Sequence, residues 1–204
     1  MKEENKKLLI LHLLMILLEI MGLITTINII HSVDFQYYTE DSNILMLIVS
    51  LIFVYFLVFN KEIPKWLEIL NHMAVLGLTV TFTVVILVLA PMYRFNYSWL
   101  LFKDAMLYYH TLCPILAIIT YVFFTKTSIE KKYIPHTMIF TIIYSIILII
   151  LNICQVVEGP YPFLMVRKQP IITSIFWIIL IEGGTLLLSY SLLKLKLLRK
   201  ENYK

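Results

Sequence analysis

Six long apolar runs, near residues 8–30, 43–59, 67–90, 105–124, 137–157 and 171–193, leave this chain little to fold into except a membrane-spanning bundle. An α-helix rises about 1.5 Å per residue and the hydrocarbon core is about 30 Å thick, so one crossing takes about 20 mostly apolar residues. Each run falls in that range, 43–59 by the smallest margin. Water-soluble helices are seldom apolar on every side for so long. The connecting segments are short and hold most of the charge. The expectation is an all-α polytopic membrane protein: one domain over residues 1–204, folded as a bundle of six transmembrane helices.

Basic residues set the expected orientation, because cytoplasmic segments retain them during insertion. Lys2, Lys6, Lys7, Lys61, Lys65, Lys126, Lys131, Lys132, Lys194, Lys196, Arg199, Lys200 and Lys204 fall on one side, against Arg94, Lys103, Arg167 and Lys168 on the other. Thirteen against four predicts both termini in the cytoplasm and outer loops at 31–42, 91–104 and 158–170. The first run is too long for a signal h-region, carries Glu19 and lacks a small-residue cleavage site, so it reads as a retained helix. The net charge of +4 follows this asymmetry and forms no basic stripe, which argues against a nucleic-acid partner. Cys113 and Cys154 fall inside spans and imply no disulfide framework.

Polar groups are costly in hydrocarbon and should turn toward the bundle interior. Thr141, Ser145, Asn152 and Gln155 fall near one face of the fifth helix, as interhelical hydrogen bonding would require. Glu19 and Glu182 lie near mid-bilayer. One reading has them hydrogen-bonding across a helix contact that Gly22, Gly183 and Gly184 keep close. The other makes them the proton or cation relay of a lipid or small-molecule binding or transport protein.

A second group gathers toward the outer leaflet. Thr39, Ser42, Asn43 and Met46 share one face of the second helix. His110 lies about 9 Å down the fourth helix from Asp104. Pro114 lacks the N–H that would bond the His110 carbonyl, so a kink is expected beside the imidazole. Asn152 and Gln155 reach the same level, and Glu158 to Phe163 form an aromatic outer loop. Each has a plainer reading. Thr39 or Asp41 would cap the second helix, and His110 would make a structural hydrogen bond. Tyr161 to Phe163, with Tyr37, Tyr38, Tyr93, Tyr97, Trp99, Tyr108 and Tyr109, would anchor the protein at headgroup depth. There is no G-x-S-x-G, H-E-x-x-H, phosphate-binding loop or zinc-ligand spacing, and the five histidines are scattered, so no metal or cofactor is implied.

Tyr38-Thr39 with Ser42-Asn43, then His110-x-x-x-Pro114, then Tyr161-Pro162-Phe163-Leu164 resembles the androgen-induced (FAR-17a/AIG-like) six-transmembrane family, most nearly its bacterial Pr6Pr-type branch. Characterised animal members are threonine hydrolases of fatty acid esters of hydroxy fatty acids. The resemblance therefore implies an integral protein of the bacterial plasma membrane that cleaves a lipid-like ester, with Thr39 as nucleophile and His110 as general base. Asn43 or Asn152 would then donate to the oxyanion and Tyr161 would line the acyl site. Glu40 and Asp41 follow Thr39, and Met165 stands where the family commonly has an acidic residue.

Overall fold

The computed structural model describes residues 3–125 and 129–201, the last two by backbone alone. Lys2, Lys126 and Lys204, counted above in the charge asymmetry, lie outside the described residues. Six helices are long and apolar enough to cross a membrane: α1 (Glu3–Ile30), α2 (Tyr38–Val58), α3 (Lys65–Met92), α5 (Leu107–Phe124), α6 (Lys131–Ile153) and α7 (Ile171–Arg199). A short helix, α4 (Tyr97–Phe102), lies between α3 and α5. Backbone N–H and C=O groups find no water in lipid, so helices that satisfy them internally are the form such runs must take.

α3 is the central helix, with Leu67, Ala74, Val75, Leu76 and Leu78 sealed from the surface. It packs against α2, α5, α6 and α7, while α1 packs on α2 and α5. The outer faces remain apolar: Ile142, Ile143, Ile146, Ile147 and Ile150 on α6 and Ile171, Ile172 and Ile179 on α7 are exposed, as lipid-facing residues are.

Helix ends depart from the sequence expectation where residues other than glycine take the left-handed conformation. Arg94, Asn60 and Gln155 have φ of 54°, 49° and 64°. Each is followed by an N–H that reaches back five residues: Phe95 to Ala90, Lys61 to Phe56, and Val156 to Leu151. This is the Schellman closure. It stops α6 at Ile153, four residues before the expected end, so Gln155 is exposed in the turn and does not join the polar face of α6. α2 begins earlier than the apolar run did, which places Thr39 and Ser42 in its first turns. Neither Thr39 nor Asp41 caps it: the N-cap is Tyr37, without a side-chain bond. The irregularity expected at Pro114 takes the form of π-helical winding over Leu107–Leu112, with α-helix resuming at Cys113.

Candidate functional site

Four elements converge on Thr39. α2 presents it one residue inside the helix start, and α5 presents His110 from its π-helical turn. The Thr39 Oγ1 to His110 Nε2 distance is 3.3 Å, and both residues are buried, 7% and 6% exposed. The other ring nitrogen fixes the tautomer. His110 Nδ1 lies 2.7 Å from the Leu100 carbonyl, which can only accept, so Nδ1 carries the proton and Nε2 offers a lone pair to the Thr39 hydroxyl.

The Leu100 carbonyl is available because α4 ends there. The last carbonyls of a helix have no partner within it. Leu100 and Leu101 give theirs to His110 Nδ1 and Thr111 Oγ1, both at 2.7 Å. Asn96 starts the same helix by accepting from Trp99 N at 3.2 Å, and buried Leu100 anchors it. By hydropathy this whole stretch belongs to the outer loop at 91–104. Its local helix signal is Asn96 ahead of the apolar run at 99–102.

On the other side of Thr39 the backbone is held firmly. Asn43 Nδ2 and Ser42 Oγ donate to the Thr39 carbonyl at 2.7 and 3.1 Å, and Ser42 also pairs with Thr81 of α3 at 3.0 Å. The Asn43 amide is therefore engaged with the backbone of its own helix. The amide of Asn152 is engaged as well. Its Nδ2 donates to the carbonyls of Val157 and Glu158 and its Oδ1 accepts from Arg167 N, so it staples the 157–167 loop to the end of α6.

That loop brings Tyr161 inward. Its phenol faces the Thr39 side chain and backbone, and burial pushes its pKa up while the Thr39 contact acts in the opposite direction. Tyr161 stacks on Phe163 with ring centres 5.1 Å apart, and Phe163 meets Trp177 of α7 at 5.7 Å. Tyr161, Phe163 and Leu164 are buried, so this segment is a wall of the site and not an interfacial anchor. Tyr38 and Tyr109 are buried as well, Tyr38 donating or accepting at 2.7 Å with Thr141 and Tyr109 lying against Gly22. Tyr93, Tyr97 and Trp99 are exposed, as anchors would be.

Beside Thr39 opens a cavity. Its walls expose mostly apolar surface, from Val80, Val84, Leu89, Ile149, Trp177 and Ile181, with Thr39, Tyr161 and Glu182 among the polar residues of the lining. Such a lining favours an apolar ligand over a charged one.

Glu19 and Glu182 belong to different contacts. Glu19 sits in the α1–α5 interface beside Cys113, whereas Glu182 accepts from Ser145 of α6 at 2.8 Å. Gly22 does allow close approach, since a Cβ there would fall 2.5 Å from the Tyr109 ring, but Gly183 and Gly184 have nothing within 4 Å. The expected carboxylate pair across a glycine contact is not formed. A hydrogen-bonded knot that no motif announces lies at the opposite end of the bundle. The His72 ring lies 2.6 Å from the Tyr121 hydroxyl and 2.9 Å from Ser189 Oγ, which in turn meets Thr137 Oγ1 at 3.1 Å. Thr137 donates to the Ile134 carbonyl at 2.7 Å, so the chain ends on the backbone and ties α3, α5, α6 and α7 together. Among the described residues no cluster of His, Cys, Asp and Glu is suited to a metal ion.

The chain matches no family model, no curated protein and no solved structure.

Proposed function

We propose that this protein is a membrane ester hydrolase whose nucleophile is Thr39 and whose general base is His110, working at the outer face of a bacterial plasma membrane. The observation that carries this reading is the 3.3 Å approach of Thr39 Oγ1 to an imidazole nitrogen left with its lone pair by the Leu100 carbonyl. A threonine hydroxyl is a weak nucleophile until a base takes its proton. Catalytic hydrogen bonds are often long before substrate binds, and 3.3 Å is such a distance. The family resemblance at Tyr38-Thr39, His110 and Tyr161-Pro162-Phe163-Leu164 points the same way.

In the first step Thr39 Oγ1 attacks the ester carbonyl while His110 Nε2 takes the hydroxyl proton. The Tyr161 phenol, facing Thr39, donates to the carbonyl oxygen as it gains charge. The ester C–O bond then breaks and His110 returns the proton to the leaving alkoxide, giving the free alcohol and an acyl-threonine. In the second step water loses a proton to His110 and attacks the acyl group. The acid is released and the threonine hydroxyl regains its hydrogen.

Purified protein in detergent or nanodiscs should cleave a neutral long-chain ester without added cofactor. Thr39→Ala and His110→Ala should each lower kcat/KM by about a thousandfold or more, and the double variant should be no worse than either alone, because both act in one step. Thr39→Ser should keep part of the activity. Full activity in Thr39→Ala removes the mechanism.

A further inference from the structure

The cavity beside Thr39 has a carboxyl group at its rim, that of Glu182. Its deep lining, Tyr38, Thr39, Thr81, Thr141, Tyr144 and Tyr161, is buried. Apart from Val84, the lining residues that remain partly open come from α6 and α7: Ser145, Ile149, Trp177, Ile178, Ile181 and Glu182. The neighbouring residues Ile146, Ile150 and Ile179 are exposed and apolar. The mouth therefore opens sideways between α6 and α7, into lipid and not into water. Across it Ser145 Oγ donates to Glu182 Oε1 at 2.8 Å, while Glu182 Oε2 is buried with no hydrogen-bond partner among the described residues.

The electrostatics of this lining are one-sided. Among the described residues that line the cavity, Glu182 is the only one whose side chain readily carries a charge, and none is Lys, Arg or His. A carboxylate or phosphate drawn from the membrane surface into this apolar space would lose its hydration and find no cation to pair with. A neutral ligand with a free hydroxyl meets the opposite situation, since its O–H satisfies the unpartnered oxygen of Glu182.

Building on the hydrolase reading, we propose that the ligand of this cavity is a neutral acyl ester that retains a free hydroxyl on its alcohol part, of the mono- or diacylglycerol kind. The ester carbonyl lies at Thr39, the alcohol part crosses the cavity so that its hydroxyl bonds Glu182, and the acyl tail leaves through the α6–α7 gap into the bilayer. Glu182 thus determines specificity without touching the reacting atoms.

The test is equilibrium competition against tritiated monooleoylglycerol on Thr39→Ala protein in nanodiscs, where binding is read without turnover. Unlabelled monooleoylglycerol should compete about tenfold better than methyl oleate, which lacks the hydroxyl, or oleate, which carries the charge, a factor typical of one buried hydrogen bond. Adding Glu182→Leu should erase the advantage over methyl oleate. Adding Glu182→Gln, which keeps the volume and supplies N–H donors, should narrow the gap by raising the affinity for oleate. Equal competition by all three lipids, or a preference unchanged in both Glu182 variants, overturns the proposal. The preference appearing in Thr39→Ala while wild-type protein hydrolyses no ester would sink the hydrolase reading and leave this subsite standing.

Discussion

Thr39 and His110 could be named from short sequence motifs, but what would let the histidine act as a base is a carbonyl ten residues away that no motif contains. Leu100 O holds Nδ1–H and so turns the lone pair of Nε2 toward the hydroxyl. The two asparagines show the reverse case. Asn43 and Asn152 are polar, buried and near the site, yet their amide donors are taken by backbone carbonyls at 2.7 and 2.6 Å. Tyr161 is the donor left facing Thr39. Tyr161→Phe should therefore lower kcat by about a hundredfold with little change in KM, the usual cost of losing one oxyanion donor. Activity within twofold of wild type would make the phenol a wall only.

At the scale of helices, apolar burial gives little drive for association inside lipid, so close packing and interhelical hydrogen bonds carry more of the specificity. Two contacts test this. Gly22 lets α1 approach the Tyr109 ring, and Tyr109 precedes His110 on α5. Gly22→Ala should cost about 1–3 kcal/mol in denaturant-monitored unfolding and reduce activity, because the ring has to move. Gly183→Ala and Gly184→Ala, facing open space on α7, should be nearly neutral. The His72 knot is the second contact. Ser42 meets Thr81 on α3, nine residues beyond His72, which puts the knot about 13 Å along the helix from the level of the site. His72→Phe should destabilise the bundle by about 1–2 kcal/mol while leaving KM unchanged. An altered KM with normal stability would contradict a structural role.

For the molecule as a whole, the proposed orientation is testable with the protein's own cysteines. Cys154 is exposed at the Thr39 end and Cys113 is buried. In intact cells an impermeant maleimide should label wild type at Cys154. In a Cys154→Ser background, labelling should return with Ser32→Cys or Asn96→Cys and stay absent with Glu62→Cys, in the opposite set of turns. Ser128, another site for that control, lies outside the described residues. Labelling of Glu62→Cys alone would invert the topology and place the site at the inner leaflet. The 158–168 loop offers a pH probe. Its exposed Glu158–Lys168 pair, 2.8 Å apart, holds the Glu158 carboxyl below its ordinary pKa. What the pair adds is present at neutral pH and lost as pH falls through that lowered value. Amide protection in the loop, taken relative to the intrinsic exchange rate at each pH, should fall on acidification, and Glu158→Gln should remove that dependence.

The sequence alone determined the six crossings, because hydrophobic length is a local property and lipid leaves a long apolar run no alternative to a helix. It also determined that buried polar residues would face inward, as Thr141 bonding Tyr38 and Ser145 bonding Glu182 do. Only the tertiary structure decided which polar groups met. Helices closed by Arg94, Asn60 and Gln155 carry no glycine to announce their ends, so α6 stops short and Gln155 leaves the face it was expected to share. The cavity, its sideways mouth and the lone oxygen of Glu182 arise between helices distant in sequence, where burial and partner are properties of packing and of no single segment.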